Sequence, residues 1–232
     1  DREWMDPNGS AIYGEYVDSI EVTNNRFEVL GGTGIHLGRG TKNSAITRNE
    51  FEKLGSGGII LGDVSSADHF PSAEALTQFN VISDNYINDV SNTYRGSTGI
   101  LVGYTSDTKV EYNKVTNLPY TSISVGWGWG YGEKTMPSEG HTDEFVLGDF
   151  AFGNNSISYN YVEHVLTEPY LIDGGGIYTL GRQDGDNGSV IIGNYVNGVH
   201  NEYGGIDLDE GSVGFEITDN VLTNCVRNWL YK

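Results

Sequence analysis

The chain has 232 residues, among them 33 glycines, 5 prolines and a single cysteine, with 32 acidic against 13 basic side chains for a formal charge of −19. This composition excludes a disulfide-stapled scaffold and a collagen-like repeat, and the charge repels nucleic-acid phosphates and anionic headgroups, so no nucleic-acid partner and no membrane insertion are expected. No stretch approaches the roughly 20 apolar residues that span a bilayer, and the opening at Asp1 shows no leader, which suits a processed secreted protein or an excised fragment. The expected location is extracellular or periplasmic.

Taken in chain order, one unit keeps returning. An asparagine between β-forming residues stands in Thr23-Asn24-Asn25-Arg26-Phe27, Thr47-Arg48-Asn49-Glu50-Phe51, Ser83-Asp84-Asn85-Tyr86-Ile87 and Glu111-Tyr112-Asn113-Lys114-Val115. It stands again in Ser158-Tyr159-Asn160-Tyr161-Val162, Ile192-Gly193-Asn194-Tyr195-Val196 and Thr218-Asp219-Asn220-Val221-Leu222. Ten residues separate Asn25 from Ile35, Asn49 from Ile59 and Asn113 from Ile123, while Ile100, Ile177 and Ile206 follow after longer connections. All but Ile123 are preceded by glycine; Ser122 stands there instead.

The shortest repeat, Asn25 to Asn49, is 24 residues, enough for three short strands but too short for a β-α-β crossover of about 30. One such unit cannot bury its apolar face alone, so successive units must stack. The expected fold is all-β: a right-handed parallel β-helix, a solenoid of about seven coils with loop insertions. It forms a single domain over residues 1–232 and is expected to belong to a longer β-helix. Stacked asparagines hydrogen-bond along the stack, so they read as scaffold. Cys225 reads as a small buried residue.

Alternation points Ile35/Leu37, Ile59/Leu61, Ile100/Val102, Ile123/Val125 and Ile206/Leu208 inward. It sends His36, Ile60, Leu101, Ser124, Tyr178 and Asp207 outward as one column on an exterior face. Three insertions, at residues 63–79, 127–154 and 163–173, could wall a cleft there.

Near the C-terminal rungs, acids collect beside that column: Asp173 before Gly174-Gly175-Gly176, then Asp207, Asp209 and Glu210. Asp207 and Asp209 flank inward Leu208, and the glycines after Asp173 permit a bend that brings its carboxylate over the same face. Paired carboxylates are what glycoside hydrolysis needs, one to protonate the leaving oxygen and one to act as base or nucleophile; solvated surface acids are the plainer reading. In Gly126-Trp127-Gly128-Trp129-Gly130-Tyr131, glycine-flanked aromatic rings could pack on sugar faces or fold over the helix as a satellite core. Tyr178, Tyr104, His36 and His141 could line the same groove. The turn Arg182-Gln183-Asp184-Gly185-Asp186-Asn187-Gly188 could offer oxygens to calcium but lacks the later bidentate acid, so a plain turn is the default and no cofactor is required.

Asp173-Gly174-Gly175-Gly176-Ile177-Tyr178-Thr179-Leu180-Gly181, Leu208-Asp209-Glu210-Gly211-Ser212 and Ser124-Val125-Gly126-Trp127-Gly128-Trp129 resemble the coil motifs of bacterial parallel β-helix carbohydrate-active proteins. The resemblance is to members around glycoside hydrolase family 141, which include enzymes acting on fucosylated pectic glycans and xylan. It implies Asp173 and Asp209 as the catalytic carboxylates, with Asp207 a departure, since an aromatic residue is commoner there. Relatives are generally longer, and the chain ends at Trp229-Leu230-Tyr231-Lys232 on an unfinished rung, so a further domain or subunit is expected to cap the open coil end.

The expected activity is that of a glycoside hydrolase on a polysaccharide or complex glycan. Asp207, Glu210, Tyr178, Trp127, Trp129, Tyr131, His36 and Tyr104 are its candidate substrate contacts. A polysaccharide lyase, with calcium and a basic residue, and a non-catalytic carbohydrate-binding or adhesion β-helix remain alternatives.

Overall fold

The computed structural model describes residues 9–128, 152–171, 173–183, 188–227 and 229–232. Three long parallel sheets run along it, of eight, seven and seven strands, and the chain visits them in turn. The strands Ser10–Gly14, Thr33–Leu37, Ile59–Leu61, Ile100–Val102, Ile123–Val125, Gly175–Thr179, Gly204–Leu208 and Leu230–Tyr231 make the first sheet. The second runs from Glu21–Thr23 to Phe215–Thr218 and the third from Arg26–Glu28 to Val221–Thr223. The protein is therefore a right-handed parallel β-helix of seven coils, with the last strand of the first sheet opening an eighth.

Two devices hold the register. Between the second and third sheets, Asn25, Asn49, Asn85, Asn113, Asn160, Asn194 and Asn220 form an unbroken ladder. Each side-chain amide but the last donates to the next asparagine's Oδ1, which also accepts that residue's backbone N–H, at 2.9–3.2 Å. From Asn49 onward each Nδ2 also donates to a carbonyl of the preceding coil, as Asn113 does to Ile82 at 2.9 Å. The residue before each ladder asparagine sits at positive φ, from 54° at Arg48 to 69° at Gly193, which turns the chain sharply enough to start the next strand. The second device is the dry interior. Ile35, Ile59, Ile100, Ile123, Ile177 and Ile206 stack fully buried against Phe51, Ile87, Val115, Val162 and Val196. Leu208, also directed inward, is half-buried against the same core.

The glycine before the isoleucine is there for room: a Cβ on Gly99 would lie 2.8 Å from Val115 Cγ1 and 2.7 Å from the Ser122 carbonyl oxygen. Ser122 fits its own position because its hydroxyl donates to the Gly176 carbonyl.

The outward column exists in the expected register: His36 pairs with Ile60, Ile60 with Leu101, Leu101 with Ser124, Ser124 with Tyr178 and Tyr178 with Asp207. Its expected exposure is corrected, since all six side chains are buried. Over the early coils the insertion at residues 63–79 folds down onto the sheet. Ile60 and Leu101 join Val64, Tyr104 and Phe152 in a second apolar cluster, against which Leu76 and Trp127 pack. Arg39 pins this cover by donating to Asp68 Oδ2 at 2.9 Å and Ser65 Oγ at 3.0 Å, and His36 Nε2 meets Asp63 Oδ1 at 3.0 Å beneath it. Apolar outward residues in the early coils thus bury largely against a lid, and the cleft opens at its margin, from Ile60 and Leu101 on to Ser124 and Tyr178.

Candidate active site

Where the cover ends, the outer face of the first sheet opens into a cavity of about 190 Å³. Its floor is Ile60, Leu101, Ser124 and Tyr178. The turns entering the sheet supply Ser97, Thr98, Tyr120 and Asp173 on one side; those leaving it supply Trp127, Leu180 and Asp209 on the other. A second, shallower depression of about 460 Å³ adjoins it, lined among others by Tyr203, Glu210, Ser212 and Tyr231, and Asp173 and Asp209 belong to both. The two carboxylates therefore border both hollows.

Local structure fixes each acid. Strand Tyr161–Val165 takes up the first residues of the insertion expected at 163–173, so the excursion begins only after Val165; Asp173, at its far end, is exposed. Gly174 follows at φ 114°, in a region that L side chains rarely enter, and its carbonyl accepts Asn201 Nδ2 at 2.6 Å, tying the turn to the next coil. Asp209 leaves strand Gly204–Leu208, its N–H donating to the Thr179 carbonyl at 3.0 Å and its carbonyl accepting the Ser212 N–H at 3.0 Å. The Tyr178 hydroxyl donates to Asp209 Oδ2.

Asp207 lies beneath them, 1% exposed, and among the described residues neither of its carboxyl oxygens has a hydrogen-bond partner. Gly175 makes room for it, since a Cβ there would sit 2.8 Å from Asp207 Cβ. Burial first, then the charges of Asp209 and Asp173, push the Asp207 carboxyl up to about 7; the Gly174 amide opposes this without reaching hydrogen-bond geometry. Burial, and then Asp209, also raise the Asp173 carboxyl above its ordinary value. Tyr120 rises to about 12 through burial and then the charge of Asp173, and Tyr178 rises through burial and then its hydrogen bond to Asp209. Both phenols stay protonated as donors.

Of the residues expected at the site, Asp173, Asp209, Tyr178 and Trp127 line the cavity and Glu210 the adjoining depression. Trp127 lines the cavity and also packs on the second apolar cluster. Asp207 sits under the acids without facing either hollow. His36 and Tyr104 are not in the groove. His36 lies four rungs from Tyr178 along the column, about 19 Å at strand spacing, with its Nε2 turned to Asp63. Tyr104 stacks against Phe152 at 4.8 Å and His69 at 5.2 Å inside the second cluster. Trp129, Tyr131 and His141 fall outside the described residues, as do 184–187 of the turn considered for calcium. Among the described residues no cluster of His, Cys, Asp and Glu could hold a metal ion.

Sequence reasoning missed Tyr120 and the loop that brings Ser97 and Thr98. That loop had a signal: Asn85 to Ile100 is fifteen residues where the basic coil has ten. Arg95 on it reaches Glu168 at 3.4 Å, joining it to the excursion that ends at Asp173.

Fold and site together define a parallel β-helix with an acidic cleft on its outer wall. A family model described as the right handed beta helix region matches residues 3–131, more than half of the chain, and the protein belongs to that family. Among solved structures it is similar to one described as a glycoside hydrolase, at 20% identity and a TM-score of 0.65, over 96% of this chain and 37% of that one. It is also similar to the Azotobacter vinelandii mannuronan C-5 epimerase AlgE4 A-module, at 12% identity and a TM-score of 0.67, over 96% of this chain and 52% of that one. The chain thus spans about a third to a half of these structures, and at such identities the likeness is one of fold. A comparison with curated proteins gave no match.

Proposed function

We propose that the protein processes carbohydrate, hydrolysing O-glycosidic bonds of a polysaccharide or complex glycan bound where the two hollows share Asp173 and Asp209. The observation that carries this reading is that Asp173 and Asp209, from successive coils, line both hollows. Asp173, whose proton is held more tightly than usual, is the general acid that protonates the leaving glycosidic oxygen. Asp209, oriented by the Tyr178 hydroxyl, is the base that activates water or the nucleophile at the anomeric carbon. Trp127 offers an apolar wall to a sugar ring, and Tyr120, Ser97 and Thr98 offer donors to its hydroxyls. One structural neighbour is described as a glycoside hydrolase, which supports the reading. The reaction needs no cofactor, and a polymeric substrate places the protein in the extracellular space or periplasm.

The other neighbour is described as a mannuronan epimerase, and proton abstraction beside a uronate carboxylate is the competing chemistry. That chemistry needs a cation to neutralise the uronate. Among the described residues, Lys232 at the margin of the second depression is the one cation lining either hollow, which favours neutral sugars.

Reducing-end release from a panel of neutral and uronate glycans tests the reading. Asp173→Asn and Asp209→Asn should each lower turnover by about 10²–10⁴-fold with melting behaviour intact. A variant retaining full turnover removes that residue from the mechanism, and unsaturated products absorbing in the ultraviolet would assign the cleft to elimination instead.

A further inference from the structure

The cleft holds a third acid for which the two-carboxylate reaction has no use. Asp207 occupies the outward position of strand Gly204–Leu208, in register with Tyr178 on one side and Tyr231 on the other. It is 1% exposed, and among the described residues neither carboxyl oxygen finds a hydrogen-bond partner. An ionised carboxylate so placed, with neither donor nor cation against it among the described residues, costs far more than a neutral one. Among the described residues, every titratable group that faces it is acidic or phenolic: Asp173 and Tyr120 from the entering turns, Asp209 from its own strand's exit, Tyr178 and Tyr231 on the neighbouring strands, and Tyr203 before its strand. The backbone is shaped to admit it, because only a residue without a Cβ fits at Gly175, where that atom would meet Asp207 Cβ at 2.8 Å and its backbone nitrogen at 3.0 Å.

We propose that Asp207 is a proton-bearing positioning residue of this cleft: neutral, it lets Asp173 and Asp209 stand together, and on losing its proton it sets a third charge beneath them and closes the working range from the alkaline side. This rests on the hydrolase reading and goes beyond it by naming what limits the site at high pH. The raised affinity of Asp207 for its proton agrees with the geometry. No bond to substrate is made by Asp207 itself; its effect passes through the Gly174 turn that carries Asp173 and through the Tyr178–Asp209 contact.

The test compares wild type with Asp207→Asn, which keeps the shape and cannot ionise, and Asp207→Ala, which empties the space. With a glycan that wild type cleaves, the alkaline limb of kcat/KM should move up by about one pH unit or more in Asp207→Asn, and Asp207→Ala should lower kcat about tenfold or more at every pH. Carboxyl ¹³C resonances of aspartate-labelled protein should show one group, absent from Asp207→Asn, still protonated at pH 6. An alkaline limb that does not move, or an Asp207 already ionised at pH 5, overturns the proposal. If wild type cleaves no glycan, it is the hydrolase reading that falls, and the ¹³C titration still decides whether Asp207 carries its proton.

Discussion

At the residue scale, the site shows how identical side chains are given different work. Asp173 and Asp209 border one cleft with Asp207 beneath it, yet the first is exposed, the second sealed and the third half-buried with a phenol donating to it. Replacing Tyr178 with Phe removes that donor and leaves the ring, so it should lower kcat about tenfold or more with little change in KM; steady-state kinetics on a cleaved glycan checks it. Asp207 also imposes a pH dependence on folding. Its carboxyl rises from 3.8 to about 7 on folding, so between those values the native state keeps a proton that the unfolded chain has released. Stability therefore falls as pH rises through that window, by up to roughly 4 kcal/mol for this group. Denaturant melts at pH 4 and pH 7 should show the gap between Asp207→Asn and wild type widening towards pH 7.

At the scale of the element, the ladder and the covering insertion carry opposite lessons. The asparagine ladder was legible because its spacing repeats and its chemistry is the same in every coil. Asn113 is buried, donates to Ile82 O and Asn160 Oδ1, and accepts both the N–H and the amide of Asn85. Asn113→Ala should cost about 2–4 kcal/mol, because it orphans buried donors on Asn85 and an acceptor on Ile82; chemical denaturation measures this. The left-handed corners at Asn24, Asp84, Gly193 and Asp219 fall on turn-forming residues, but three others were not legible. Arg48, Tyr112 and Tyr159 have φ of 54–57°, and none is a residue that announces a turn. The insertion at residues 63–79 was legible as an excursion, but its direction was not. Whether a loop walls a groove or lies flat on a sheet depends on what it finds there, and Ile60 and Leu101 offered it an apolar floor.

Across the whole molecule, each coil touches chiefly its neighbours, so stability should be graded along the axis. Interior coils have both edges of their strands paired, whereas Phe215–Thr218 and Val221–Thr223 are paired on one edge among the described residues, and Val221, Val226 and Trp229 are exposed. Amide exchange followed by mass spectrometry should show slowest exchange in the strands Ile59–Leu61, Ile100–Val102 and Ile123–Val125 and early exchange in Phe215–Thr218 and Val221–Thr223. Uniform protection along the axis would contradict a solenoid stabilised by nearest-neighbour contacts.

The amino-acid order by itself determined the solenoid, the number of coils, the ladder and the common outward column, because these follow from a period, and a period is written in the sequence. It also gathered Asp173, Asp207 and Asp209 near one another, since they lie on consecutive coils. Tertiary structure alone decided which of those acids meets solvent, that Tyr120 and the loop at Ser97–Thr98 enter the cleft, and that His36 and Tyr104 are sealed beneath a cover. Burial depends on what folds over a residue from elsewhere in the chain, and no local pattern in the strand beneath records it.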